Sequence, residues 1–135
     1  MPPAFLDSSA IVVVLTEAAG FDDLRGRILN REGQRITSAI SVYEAVTSIA
    51  GRNPTEEQME MARSKVFAFL DEFGIEIVSC DAASIRAALD HYLDVVSRSE
   101  FVGESAPLVM GSSFAFAASK LANAEVIHVS NPLLE

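Results

Sequence analysis

Short apolar runs alternate with segments of helical periodicity along most of this chain, and this alternation limits the folds open to it. The runs at 4–6, 35–38, 75–79 and 125–129 each have the length and composition of a β-strand. Helical apolar spacing or capping signals fall between them. Strands separated by helices predict a parallel sheet covered on both faces. We therefore expect an α/β fold of three layers, with a central, mostly parallel sheet flanked by helices.

The helix assignments depend on caps and glycines. Residues 11–16 are rich in β-branched side chains, which favours a strand by propensity alone. We predict a buried helix instead, because Ser8 or Ser9 can cap it and no turn occurs before Ala18-Ala19-Gly20. Further helices are predicted at 21–30, from a Ser41 cap to about 50, and from a Thr55–Gln58 capping box to about 73. Asp81 is predicted to cap the next helix, which has Ile85, Ala88, Leu89 and Tyr92 on one face. A polar loop at 97–107 then precedes the last predicted helix, at 111–121.

Composition limits the function classes. A chain of 135 residues fits one domain, 1–135, and can bury a sizeable core. It carries 19 acidic and 10 basic residues, a net charge of −9. This charge argues against a basic surface for a phosphate backbone, although bound divalent cations or a basic partner can reverse the local field.

Cysteine and histidine usage excludes several kinds of site. The one cysteine, Cys80, permits no intrachain disulfide, and we expect it to be a small buried side chain. His91 and His128 stand far apart, without zinc-site spacing, so each is predicted to be a packing or surface residue. No basic segment precedes the first apolar run, and no run reaches the length of a membrane span, which favours a cytoplasmic protein.

Two carboxylates follow the first two predicted strands. Asp7 ends the first apolar run and precedes Ser8 and Ser9, while Glu44 lies shortly after the second strand. Ligands of α/β proteins bind beyond the carboxyl ends of the strands, so a parallel sheet would bring these acids together. Two such acids are the beginning of a Mg²⁺ site. Their repulsion should raise at least one of the two pKa values in the metal-free protein.

Four segments follow one another along the chain. They are Leu6-Asp7-Ser8-Ser9-Ala10, the stretch 38–44, Gly74-Ile75-Glu76-Ile77-Val78 leading to Asp81, and Gly111-Ser112-Ser113-Phe114-Ala115-Phe116-Ala117-Ala118 before the last strand. Their order resembles the PIN-domain family, and within it the VapC-like toxins of bacterial toxin–antitoxin pairs. The resemblance covers nearly the whole chain, and the order, spacing and length of its segments are more specific than any single piece.

The resemblance implies an endoribonuclease that depends on Mg²⁺ or Mn²⁺ and leaves a 3′ hydroxyl. It also implies a cognate antitoxin and a homodimer as partners. Asp7 and Glu44 match the first two acids of the family and are the expected catalytic residues and metal ligands. Ser9 matches the supporting hydroxyl. Ser112 and Asn131 stand where the third and fourth acids are expected, as residues that support the metal or the substrate.

The last two positions depart from the family pattern. Serine and asparagine offer neutral oxygens, so two negative charges are missing and we expect weak metal binding and slow or absent cleavage. Glu104 or Glu135 are possible substitutes for the missing acids. The alternative is a catalytically inactive PIN-like domain that acts as a protein-partner or RNA-binding module, with Ser112 a plain helix cap.

A third hypothesis makes the chain a subunit that contributes only to a dimer or an antitoxin complex. The apolar residues of 11–15 and 21–29 would then form the surface. Asp90 and Asp94 lie on a predicted helix, where we expect them to be solvated or paired surface residues.

Overall fold

A computed structural model describes residues 1–97 and 106–129 of the protein. This part of the chain contains four strands and six helices, with two helices between each strand and the next. They are β1 (Ala4–Leu6), α1 (Ser8–Leu15), α2 (Phe21–Leu29), β2 (Arg35–Ser38), α3 (Ala39–Ala50), α4 (Glu56–Glu72), β3 (Ile75–Val78), α5 (Ala82–Ser97), α6 (Ala106–Leu121) and β4 (Glu125–Ile127).

The four strands form one parallel sheet in the order β3-β2-β1-β4. Ala4 of β1 pairs with Arg35 of β2 on one side and with Glu125 of β4 on the other. Because every pairing is parallel, the carboxyl ends of β1 and β2 point to the same edge of the sheet. The predicted α/β architecture is confirmed.

The sheet is covered on both faces, as its apolar strands require. Leu6 and Ile127 belong to a core cluster with residues of α1 to α4, while Phe5 and Ile36 pack with Ala115 of α6 on the opposite face. All three residues of β1 are fully buried. Asp7 directly follows this strand, so its position is fixed from both sides.

Helix α1 confirms the prediction of a helix from a β-branched run, but its cap differs from the one expected. The N-cap is Asp7, whose side chain accepts a hydrogen bond from the backbone N–H of Ser9. Ser8 and Ser9 lie in the first helical turn. A carboxylate is as good a cap as a hydroxyl, and starting the helix one residue earlier shortens the link from β1.

The two other helices near the sheet edge also begin earlier than predicted. Helix α3 starts at Ala39, capped by Ser38, whose Oγ accepts from the N–H of Ser41. Helix α6 starts at Ala106 rather than at Gly111. Pro107 is compatible with a first helical turn, where an N–H would have no partner within the helix. Ser112 therefore lies inside α6, so the prediction that it caps the helix is wrong.

The capping box that opens α4 is confirmed. Thr55 Oγ1 accepts from the N–H of Gln58 at 3.1 Å, and Gln58 Oε1 accepts from the N–H of Thr55 at 2.9 Å. Helix α4 buries four residues at helical spacing, Ala62, Val66, Phe69 and Leu70. Asp81 Oδ1 accepts from the N–H of Ser84 at 3.0 Å, as a cap of α5 should.

The residues predicted along one face of α5 do lie together and line one groove, but that face is largely exposed. Of that set only Ala88 is buried, whereas Ile85, Leu89 and Tyr92 are exposed. The helix turns its smaller and polar residues inward instead, with Ser84, His91 and Val95 buried. The close contact between α5 and α6 favours these smaller side chains. His91 packs as expected: its ring stacks on Phe116 and its Nδ1 lies 2.9 Å from Ser113 Oγ.

The expectation that Cys80 is buried is wrong. Cys80 is exposed, because it lies in the turn between β3 and α5 rather than within an element. The apolar residues of the early helices are divided: Ile11, Val14, Leu24 and Ile28 are buried in the core, whereas Leu29 is exposed, so a docking surface there stays a prediction. Asp90 and Asp94 lie on exposed positions of α5, as predicted.

No helix within the described residues combines the length and the apolar character needed to cross a membrane.

Candidate metal and active site

Asp7 is a buried carboxylate at the edge where β1 ends. Its side chain is 3% exposed, which is uncommon for an aspartate unless its oxygens have partners. Ser9 supplies them: its Oγ donates to Asp7 Oδ2 at 2.8 Å, and its backbone N–H donates to the same oxygen at 3.3 Å. Both bonds hold the carboxylate from the side on which α1 lies.

Ser9 also connects the site to the last strand. Its Oγ accepts a hydrogen bond of 3.0 Å from the backbone N–H of Val129, two residues beyond β4. The hydroxyl thus donates to Asp7 and accepts from Val129 at the same time. This arrangement uses both capacities of a hydroxyl and fixes its orientation.

Glu44 projects from α3 toward the same edge. Burial and the charge of Asp7 raise the pKa of the Glu44 carboxyl above its ordinary value, while a hydrogen bond from Ser8 acts in the opposite direction. Ser8 Oγ lies 3.4 Å from Glu44 Oε1. The effect of Asp7 on Glu44 shows that the two carboxylates are electrostatic neighbours, which confirms the expectation of a raised pKa.

Gly111 of α6 lies directly against the Glu44 carboxylate. A Cβ at this position would overlap Glu44 Oε2 and would lie 2.6 Å from Glu44 Cδ. No side chain fits there while Glu44 keeps its position. Glycine in the middle of a helix costs roughly 1 kcal/mol relative to alanine, so close approach, not helix propensity, is the physical reason for it here.

A cavity of about 880 Å³ opens beside Glu44 between α1 and α3. One wall carries Ser8 and Ser9 with two valines of α1, and the other carries Glu44, Thr47 and Ser48 of α3. The turn that follows α3 and Val129 complete the lining. The cavity therefore combines hydroxyl groups, a carboxylate and apolar side chains.

Comparison with known proteins shows which proteins this chain is similar to. A VapC ribonuclease of Rhizobium meliloti (strain 1021) is 28% identical over 138 residues, covering 95% of this chain and 94% of the relative. The crystal structure of Mycobacterium tuberculosis VapC20, a Sarcin-Ricin loop cleaving toxin, superposes with a TM-score of 0.69 at 12% identity and covers 96% of this chain and 92% of its own. VapBC2 from Rickettsia felis, bound to a promoter DNA fragment, gives 0.64 at 17% identity, covering 98% and 95%.

The chain is thus similar in sequence to a VapC ribonuclease and similar in fold to two VapC toxin structures. The similarity to the curated relative and to both structures extends over nearly the full length of each chain. No family model matches the sequence.

The other residues predicted for the site of this VapC-like protein are placed less directly. Ser112 follows Gly111 in α6 and is 6% exposed, so it lies next to the helix position that Glu44 contacts, but it does not line the cavity. Asn131, Glu104 and Glu135 lie outside the described residues. Within the residues that are described, no cluster of three or more His, Cys, Asp or Glu side chains forms a metal-binding group.

The donor set of this VapC-like protein fits a hard divalent cation. Asp7 and Glu44 offer carboxylate oxygens from two elements, and Mg²⁺ is commonly held by one or two carboxylates while it keeps several waters. Glu44 is half-buried beside an open cavity, which leaves space for water and a substrate oxygen. Its raised pKa also fits, because a cation would relieve the repulsion between the two acids.

Sequence reasoning missed three features of the site. The bond from Val129 to Ser9 and the contact between Gly111 and Glu44 join residues far apart in the chain, and no local pattern indicates them. Arg52 lines the cavity from the turn after α3, where the sequence suggested only a turn. The available signal was its spacing: Arg52 lies two residues beyond the end of the helix that carries Glu44.

Proposed function

We propose that this VapC-like protein is a metal-dependent endoribonuclease in which Asp7 and Glu44 hold a Mg²⁺ or Mn²⁺ ion. The observation that carries the proposal is the pairing of these two carboxylates: Asp7 raises the pKa of Glu44, and Glu44 opens onto a large cavity. The curated relative of similar length is a ribonuclease, which supports RNA as the substrate.

Each residue has a distinct role in this proposal. Asp7 and Glu44 are the metal ligands, and Ser9 keeps the Asp7 carboxylate in one orientation through its hydroxyl and its N–H. Ser8 donates to Glu44 and holds its carboxylate on the cavity side. A bound divalent ion would make a nearby water easier to deprotonate and would stabilise negative charge on the leaving oxygen.

We further propose that the site is weaker than one built from four acids. The described part of the chain contributes two carboxylates, and Ser112 occupies the α6 position at which the family resemblance places a third acid. Ser112 and Asn131 would then act as neutral supports. Mg²⁺ gives up water reluctantly and depends on charged ligands, so weaker binding follows from the loss of charge.

The test is RNA cleavage in Mg²⁺ and in Mn²⁺ by the wild-type protein and by Asp7→Asn. Asparagine keeps the size of the side chain and its acceptor oxygen but removes the charge, so the fold should survive. We expect metal-dependent cleavage that the substitution abolishes. Wild-type protein that binds RNA without cutting it would favour the inactive RNA-binding module, and equal cleavage by both proteins would place the activity elsewhere.

The proposal includes a cognate antitoxin as the partner. In the Rickettsia felis structure the toxin and antitoxin are named as one VapBC2 assembly on promoter DNA. Co-expression of the chain with the product of an adjacent small gene, followed by co-purification, tests this partner. An antitoxin that binds should also suppress cleavage.

A homodimer and a cytoplasmic location remain predictions. Helix α5 exposes Leu89 and Leu93 at 61% and 68%, and exposed leucines on one helix are compatible with self-association. Light scattering after size-exclusion chromatography would measure the mass of the particle directly. A cytoplasmic location follows from the proposed RNA substrate.

A further inference from the structure

The cavity beside Glu44 extends well beyond the two carboxylates. Its wall follows α3 from Glu44 through Thr47 and Ser48 to the turn Gly51–Arg52. From Glu44 to Gly51 this path covers roughly 10 Å along the helix axis, at about 1.5 Å per residue. One phosphate bound at the carboxylates would leave most of this length vacant, so the shape suits an extended ligand.

Arg52 is the single basic residue among the described residues that line this cavity. It is exposed, and within the described part of the chain it takes part in no ion pair. The net charge of the protein is −9, so a single cation at the end of this cavity changes the local field strongly. An arginine guanidinium also matches the geometry of phosphate oxygens.

The hydroxyl groups between the two ends suit a backbone of phosphates and sugars. Ser48 is exposed on the wall between Glu44 and Arg52. Thr47 uses its own hydroxyl within α3, where Oγ1 donates to the carbonyls of Tyr43 and Glu44. Hydroxyls and arginines commonly contact phosphate and sugar without reading the base sequence.

We propose that Arg52 binds an RNA phosphate about three nucleotides from the scissile one, so that the strand lies in the cavity between α1 and α3. This inference rests on the proposed ribonuclease function and names the surface that positions its substrate. A stacked strand advances roughly 3.4 Å per nucleotide, so the path from Glu44 to Arg52 has the length of about three nucleotides. Arg52 is a positioning residue, since it lies away from the carboxylates that would hold the metal.

A structural role for Arg52 must be separated from this one. A cation just beyond the C-terminus of α3 interacts favourably with the helix dipole, and that interaction requires no ligand. A dipole role predicts a change in stability alone. A phosphate contact predicts a change in RNA affinity and in its salt dependence, because each neutralised phosphate of a single strand releases counterions.

The experiment measures the affinity of a fluorescein-labelled single-stranded RNA by anisotropy in EDTA, where cleavage is blocked, over a series of salt concentrations. KM and kcat are then measured in Mg²⁺. The proteins are wild type, Arg52→Ala, Arg52→Lys and the control Arg86→Ala, which removes the same charge from an exposed position of α5 outside the cavity.

We expect Arg52→Ala to weaken RNA binding about tenfold and to raise KM more than it lowers kcat. The slope of log affinity against log salt should become shallower by about 0.7. Arg52→Lys should keep most of that slope, because it keeps the charge, and Arg86→Ala should match wild type. Thermal unfolding of all four proteins shows whether stability changes.

The outcomes separate this inference from the proposed function. Wild-type cleavage with an unchanged KM and salt slope in Arg52→Ala would overturn the role of Arg52 and leave the nuclease intact. An equal loss in Arg86→Ala would show a general charge effect and would also overturn it. A wild-type protein that neither binds nor cuts RNA would refute the proposed function, and the inference with it.

Discussion

Replacing Gly111 with alanine should lower the cleavage activity without lowering the stability of the fold. The added Cβ would overlap Glu44 Oε2 and lie 2.6 Å from Glu44 Cδ. Carbon atoms in contact prefer a separation of about 3.5 to 4.0 Å, so the carboxylate must move by roughly 1 Å. A misplacement of that size in a catalytic group can cost about 100-fold in rate. We therefore expect kcat/KM to fall by about two orders of magnitude.

Gly111→Ala should change the free energy of unfolding only slightly, or should raise it. Alanine gains about 0.8 to 1.0 kcal/mol over glycine inside a helix, while the overlap is with the end of a flexible side chain that can rotate away. Gly26 of α2 provides a matched control, since a Cβ there meets no atom within 4 Å. Gly26→Ala should gain the full stabilisation of about 0.8 to 1.0 kcal/mol and leave cleavage unchanged.

The assay pairs urea unfolding with the rate of cleavage of a labelled RNA for both alanine variants. A double-mutant cycle adds a sharper test: in the Glu44→Ala background, Gly111→Ala should recover the full gain seen at Gly26, because the obstructing carboxylate is gone. Wild-type cleavage by Gly111→Ala would refute the reasoning. So would a Gly111→Ala protein whose stability falls by the same amount with and without Glu44.

Three further outcomes follow from the same site. Ser112→Asp should tighten Mg²⁺ binding in calorimetry if the α6 position faces the ion, and an unchanged affinity would remove Ser112 from the site. Ser9→Ala should destabilise the protein by about 1 to 3 kcal/mol in urea, because the Val129 N–H loses its partner and Asp7 Oδ2 keeps only the Ser9 N–H; a loss near zero would contradict the bonds described. The raised pKa of Glu44 means that the folded protein holds this proton more tightly than the unfolded chain does. In EDTA, stability should therefore fall as pH rises through that pKa, and Glu44→Gln should reduce the fall.

The fold was predictable because its signals are local. The strand of residues 35–38 and the capping box of α4 depend on residues that are neighbours in sequence, and both were found. The helix at Ser8–Leu15 required one further argument, that capping outweighs β propensity. Helix starts were less accurate, since Asp7 and Ser38 compete as caps with serines that lie within three residues of them.

Periodicity could not predict which face of α5 is buried. The predicted face, Ile85 to Tyr92, and the buried residues Ser84, Ala88, His91 and Val95 both have helical spacing, and the larger side chains favoured the first. The approach of α6 decides in favour of the second, because smaller residues let the two helices pack closely. This information exists only once the two helices meet.

The candidate site was likewise predictable only in part. Asp7 and Glu44 were identified from their positions after strands, and the prediction that their proximity raises a pKa is confirmed for Glu44. The sequence could not reveal how the acids are held, because Ser9 bonds a residue 120 positions away and Gly111 contacts a side chain of another helix. Such contacts are set by tertiary packing.

The bond between Ser9 and Val129 also has a consequence for the newly made chain. β1 is synthesised first, yet its neighbour β4 is made about 120 residues later and pairs with it along all three residues of the strand. During translation the first strand therefore lacks one edge, and Ser9 lacks the donor that fixes its hydroxyl. The site would be complete only after β4 and Val129 have left the ribosome, so a protein that cuts RNA would acquire its activity well after its first acid is synthesised.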